Sequence, residues 1–166
     1  MRVFVAIRLT DDVKKSLVGT MHDLKQKGIK GSYTAADNLH VTMAFIGDTQ
    51  NVGEIKKALD RVQVTPFKLT VREMGNFGDR LYAGVKGNQG IKGLAKDIRA
   101  QLDAAEIPYD QKEFVPHITL VRKMSGTLPK GFSGAKAEMM VKGFSLMKSE
   151  TKNGKRVYTE IHHVGN

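Results

Sequence analysis

Cysteine is absent from the 166-residue chain, and that one absence excludes disulfides, thiolate zinc sites and a cysteine nucleophile together. Acid–base work then falls to histidine, of which there are five. Long hydrophobic runs are also missing. Stretches such as Val3 to Ile7 are too short to span a bilayer, and the N-terminus has neither the apolar region nor the small-residue cleavage site of a secretion signal. A cytoplasmic protein with no membrane partner is the expectation. Acidic residues are outnumbered by basic ones, 17 to 27, for a net charge of +10. The imbalance is local, because Arg122 to Arg156 holds nine Lys and Arg against only Glu138 and Glu150. Such a surface attracts phosphates, which suits RNA, DNA or nucleotides, although a lysine-rich face kept for solubility has the same composition.

Against these absences stands one short phrase that occurs twice. In Asn38-Leu39-His40-Val41-Thr42-Met43 and in Pro116-His117-Ile118-Thr119-Leu120, a histidine and a threonine lie two apart inside a β-branched, alternating run. Strand side chains alternate at period two, so His40 and Thr42 share one face and His117 and Thr119 share another. The surroundings repeat as well. Arg2-Val3-Phe4-Val5-Ala6-Ile7-Arg8 aligns with Arg80-Leu81-Tyr82-Ala83-Gly84-Val85-Lys86 at an offset of 78, and the histidines lie 77 apart. The chain therefore reads as an internal duplication, with approximate repeats 2–47 and 80–124, in a single two-lobed domain over 1–166. An approximate two-fold axis would set the His-Thr pairs facing one another across a cleft, and would divide the core between two lobes.

Periodicity and punctuation fill in the plan. Residues 2–8 predict a strand. Thr10-Asp11-Asp12 cap a helix striped by Val13, Leu17, Met21 and Leu24 and ended by Gly28. Gly31, Ser32 and Asn38 mark a turn-rich approach to the first His-x-Thr strand. A second helix, about 51–62, stops before Pro66. Residues 67–74 and 80–86 predict a hairpin turned by Gly75 to Asp79. A third helix near 90–105 carries Ile91, Leu94, Ile98 and Leu102 on one stripe. Glu138 to Met147 and Arg156 to Val164 predict a final hairpin with Asn153-Gly154 at its tip. The fold class is α+β, two small antiparallel sheets with helices on their outer faces. No low-complexity linker separates the lobes, so a rigid body is expected, as a monomer.

The two phrases, with Arg2 to Ile7 opening the chain and Phe114-x-Pro116 before the second, resemble the two-histidine (2H) phosphoesterases. Within that superfamily, Asn38 to Asp48 and Pro116 to Arg122 are similar to the RNA 2′,3′-cyclic phosphodiesterases, also called 2′-5′ RNA ligases. The resemblance implies paired motifs facing each other in a two-lobed fold, no required cofactor or metal, and hydrolysis of RNA 2′,3′-cyclic phosphate ends to 2′-phosphates. It also assigns His40 as proton donor and His117 as proton acceptor.

The residue types support such chemistry on their own. Opening a cyclic phosphodiester needs a base for the attacking water and an acid for the leaving oxygen, on opposite sides of the phosphorus. Histidine's ordinary pKa of ~6.5 lets one imidazole be neutral and another charged near pH 7, and neither phrase places a carboxylate or lysine beside its histidine to move it far. Thr42 and Thr119 can donate to the non-bridging oxygens, where charge builds. The residues alone leave open which histidine is acid and which base, and whether the site runs in reverse as a 2′-5′ ligase. A metal site is disfavoured, because neither phrase has a carboxylate or third histidine at ligand spacing. His22, His162 and His163 are expected to be structural or surface residues.

Phe45 and Arg122 each follow their histidine by five residues. The resemblance associates these positions with holding the nucleobase, and a ring and a guanidinium can stack on one. Strict alternation puts an odd offset on the opposite face, so Phe45 belongs in the core unless a bulge or strand end redirects it. The alternative from a different class is a non-catalytic RNA-binding module using the basic C-terminal half. Binding alone, however, needs no matched acid and base.

Overall fold

Two antiparallel sheets organise the chain in a computed structural model that describes residues 1–86 and 89–166. In chain order the elements are β1 (Arg2–Arg8), α1 (Asp11–Gln26), β2 (Lys30–Tyr33), β3 (His40–Asp48), α2 (Val52–Asp60), β4 (Phe67–Phe77), β5 (Arg80–Lys86), α3 (Gln89–Ala104), β6 (His117–Ser125), β7 (Ala137–Val141), β8 (Gly143–Lys152) and β9 (Lys155–Gly165). One sheet has the order β3-β1-β8-β9, the other β2-β6-β5-β4-β7. β1 pairs with β3, and β5 pairs with β6, so each His-x-Thr strand lies beside the opening strand of its own lobe. The α+β class follows directly. Among the described residues no helix is long and apolar enough to cross a membrane.

The core is not divided as duplication implied. One continuous cluster takes Val3, Val5 and Ile7 from β1, Leu17 and Leu24 from α1, Leu69 from β4, Ile98 from α3 and Ile118 from β6. A second, small cluster of Phe4, Ala6 and Met147, flanked by Phe45 and Tyr158, covers the other face of the first sheet. Each sheet thus turns its aliphatic face to the shared core. That leaves its mixed face for the site.

α1 begins at an N-cap, Thr10, whose hydroxyl accepts from the Val13 amide at 3.4 Å, with Asp11 and Asp12 in the first turn where the helix dipole favours them. Three segments depart from the sequence-based expectation. The turn-rich approach contains β2, which pairs with β6 of the other lobe and so ties the halves together. β4 runs on to Phe77, leaving only Gly78-Asp79 as the turn. Glu138 to Met147 is not one strand: it breaks at Lys142, with β7 pairing to β4 in the second sheet and β8 pairing to β1 and β9 in the first. Alternation on both sides of Lys142 hides this crossover, since apolar periodicity records which face is buried and not which sheet. Asn153 and Gly154 do form the β8–β9 tip, both at positive φ, 52° and 76°.

Both His-x-Thr strands carry a bulge just beyond the threonine. Pairing passes from Val5↔Ala44 to Ala6↔Thr42, skipping Met43. In the other lobe it passes from Leu81↔Val121 to Tyr82↔Thr119, skipping Leu120. Two successive residues are consequently buried in each strand, Met43-Ala44 and Leu120-Val121, and the alternation beyond them is inverted.

Candidate active site

The inverted alternation brings Phe45 and Arg122 to the same face as the histidines. Phe45 is half-buried rather than a core residue, correcting the expectation from strict alternation, and both residues line one cleft of roughly 600 Å³ with His40, Thr42, His117 and Thr119. All six candidate residues therefore share a single cavity.

Each imidazole is oriented by the same device. His40 Nδ1 lies 2.7 Å from the Asn38 carbonyl, and His117 Nδ1 lies 2.7 Å from the Val115 carbonyl, in each case two residues back. A carbonyl only accepts, so Nδ1 carries the hydrogen in both rings. In a neutral imidazole the lone pair is then on Nε2. At His40 that nitrogen accepts from the Thr42 hydroxyl at 2.8 Å. The Asn38 carbonyl is set by a short 3₁₀ turn, Ala36–Asn38, and Asn38 is itself anchored by donating from Nδ2 to the Arg156 carbonyl at 2.9 Å.

Aromatic rings bracket both histidines. Phe4 and Tyr158 lie 4.9 and 5.4 Å from the His40 ring, centroid to centroid. Phe77 and Tyr82 lie 5.1 and 5.3 Å from that of His117. These rings were not singled out from the sequence, although Phe4 and Tyr82 occupy the same position in the repeat, 78 apart. Arg2 and Arg80 are likewise aligned and both line the cleft, the Arg2 guanidinium lying 4.9 Å from the Phe45 ring centroid. Arg99 and Lys112 add further positive charge from α3 and the loop before β6, against Asp110 and Glu113. Arg99 clips that loop, donating to the Lys112 carbonyl at 2.9 Å with its guanidinium 5.5 Å from the Tyr109 ring centroid.

The basic stretch Arg122 to Arg156 does not itself form the site. Of its basic side chains among the described residues, only Arg122 and Arg156 line the histidine cleft or its extension. Lys148 and Lys152 are instead paired with Glu150, at 3.4 and 3.8 Å. Of the remaining histidines, His162 contacts Asp60 at 2.7 Å, His163 contacts Ser145 at 3.1 Å, and His22 is exposed on α1. Among the described residues no three histidine or carboxylate side chains are grouped to hold a metal ion.

The His40 pKa is pushed down to about 4, chiefly by burial and further by the positive charge of Arg122 and His117; the bond to the Asn38 carbonyl only partly opposes this. His40 is therefore neutral in the empty cleft at pH 7. The sequence-based expectation that it stays near the ordinary value fails because the groups that move it are distant in sequence.

Two antiparallel sheets sharing one basic cleft define a class of protein, and comparison with known families names it. The family model of the 2′-5′ RNA ligase superfamily matches residues 13–153, and the chain belongs to that superfamily. A relative from Thermotoga maritima named RNA 2′,3′-cyclic phosphodiesterase is 31% identical over 131 residues, covering 74% of this chain and 70% of its own. One of the same name from Escherichia coli is 30% identical, covering 96% of this chain and 93% of its own. The crystal structure of E. coli LigT complexed with 3′-AMP superposes with a TM-score of 0.86 at 26% identity, covering 99% of this chain and 97% of that one.

Proposed function

We propose that the chain hydrolyses 2′,3′-cyclic phosphate ends of RNA or oligonucleotides to 2′-phosphates, with His40 as proton donor and His117 as proton acceptor. The observation that carries this reading is the matched pair of imidazoles lining one cleft, each with Nδ1 fixed on a carbonyl. The relatives named RNA 2′,3′-cyclic phosphodiesterase support the same substrate.

His117 suits the base, because no protein group among the described residues engages its Nε2, leaving that lone pair for a water. The water attacks phosphorus in line with the bond to the 3′ oxygen, its proton passing to His117. His40 protonates the departing 3′ oxygen. An empty site with His40 neutral must be loaded with a proton by the substrate, and a phosphodiester anion favours the imidazolium. Once His40 Nε2 is protonated the Thr42 hydroxyl no longer donates to it, and Thr42 and Thr119 donate to the non-bridging oxygens while Arg122 balances their charge. Phe45, with the Arg2 guanidinium against its ring, offers a face to the terminal nucleobase. A 5′-hydroxyl in place of water uses the same base and the same acid in the same roles, so 2′-5′ ligation belongs to this reading.

The test is incubation with a short RNA ending in a 2′,3′-cyclic phosphate in excess EDTA, followed by identification of the product. A 2′-phosphate is expected. A 3′-phosphate, or turnover only on adding a divalent metal, contradicts the proposal.

A further inference from the structure

Phe77 stands at the end of β4, just before the Gly78-Asp79 turn, and 44% of it is open to solvent. Among the large apolar residues exposed in the described chain it is the one aromatic ring. Its hairpin tip is tied down on both sides. Asn76 Nδ2 donates to the Gly78 carbonyl at 3.0 Å, and the Met124 amide of β6 donates to the Asp79 carbonyl at 2.8 Å. The ring is held in a tilted stack on Tyr82, centroids 4.6 Å apart, and edge-on to His117 at 5.1 Å.

The surroundings of the two histidines differ in this respect. Beside His40, Phe4 is only 4% exposed and packs edge-on against a half-buried Tyr158 from β9. Beside His117 the ring pair opens to solvent. In-line displacement puts nucleophile and leaving group on opposite sides of phosphorus, so with His117 as base, an assignment resting on the proposed function, the nucleophile arrives on the side of His117 and its open ring pair. Water needs no platform there. A nucleoside whose 5′-hydroxyl takes the place of water does, and a fixed aromatic ring accepts any base by stacking.

We propose that Phe77, backed by Tyr82, is a subsite for an acceptor nucleoside bearing a free 5′-hydroxyl, and that it sets how much cyclic phosphate goes to 2′-5′ transfer rather than to water. The 5′ oxygen bonds to phosphorus and its proton passes to His117 Nε2. The bond from phosphorus to the 3′ oxygen breaks, and that oxygen takes the proton held by His40. One cyclic diester becomes one 2′-5′ diester with no change in charge.

The experiment gives wild type, Phe77→Leu and Phe77→Trp adenosine 2′,3′-cyclic phosphate with increasing adenosine, and quantifies the 2′-5′-linked dinucleotide against adenosine 2′-phosphate. The Leu variant is expected to lower the ratio of transfer to hydrolysis about tenfold, within what one base–aromatic stack is worth, and the Trp variant to preserve it. If both products fall together in Phe77→Leu at an unchanged ratio, the ring merely positions His117 and the subsite is refuted. A wild type that hydrolyses but yields no acceptor-dependent product refutes the subsite and spares the hydrolytic reading. A wild type that yields neither product removes both.

Discussion

His40 carries a proton only when something in the cleft makes that favourable. With its pKa pushed down to about 4 by burial, helped by Arg122 and His117, it is neutral throughout the range in which the unfolded chain's histidine, at ~6.5, takes up a proton. The unfolded state then binds more protons between those values, so stability falls as pH drops from 6.5 towards 4. The thermal midpoint should fall less over that window in His40→Asn than in wild type. Equal slopes would mean that burial does not depress this group. Kinetics should show the same asymmetry. The alkaline limb, along which the donor loses its proton, should lie lower in kcat/KM, which reports the free protein, than in kcat, because bound phosphate favours the imidazolium. Thr42→Val and Thr119→Val should each lower kcat/KM by the ~1.5–3 kcal/mol of a hydrogen bond to a charged group; unaltered kinetics in both would remove their contact with the phosphate.

Within the strands, alternation was readable as far as the threonines and no further. His40/Thr42 and His117/Thr119 share their faces because period two holds there, whereas Phe45 and Arg122 reach the site only because a bulge follows each threonine. A sequence gives little sign of a bulge: Met43-Ala44 and Leu120-Val121 are adjacent apolar pairs, which also fit a strand buried on both faces. The short β2 and the crossover at Lys142 were hidden for a related reason, since both depend on partners in the other lobe. Gly84 illustrates how tightly the second sheet is fitted beside its histidine. It pairs with His117 on one side and Arg72 on the other, and a Cβ there would lie 2.7 and 2.8 Å from the carbonyl oxygens of Arg72 and Glu73. Gly84→Ala should therefore cost ~1–3 kcal/mol and lower the thermal midpoint by about 3–10 °C in a chain of this size. A midpoint within a degree of wild type would show that β4 yields at its bulge, where Glu73 sits at a φ of 46°.

Across the whole molecule, one core fixes two halves and so fixes the distance between their histidines. β2 pairing with β6, and β7 and β8 leaving Lys142 for different sheets, make relative motion of the lobes costly. The charge distribution bears on RNA length. Arg2, Arg80, Arg99, Lys112 and Arg122 surround the cleft, while most of the basic C-terminal stretch lies elsewhere. Binding of cyclic-ended oligonucleotides should become more salt-dependent with each added phosphate, by about 0.7 in log–log slope, and should level off once the cleft is spanned. A slope for the mononucleotide as steep as for an octanucleotide would contradict that picture. The claim beneath all of this is a division of labour between two histidines, one giving a proton and one taking it. His40→Ala and His117→Ala should each turn over a 2′,3′-cyclic phosphate at least ~10²-fold more slowly than wild type. The most direct measurement repeats both with a phosphodiester whose leaving group is acidic enough to depart unprotonated. Such a substrate should restore His40→Ala towards wild-type rates and leave His117→Ala slow; near wild-type turnover of the natural substrate by either variant, or rescue of His117→Ala instead, would contradict the account.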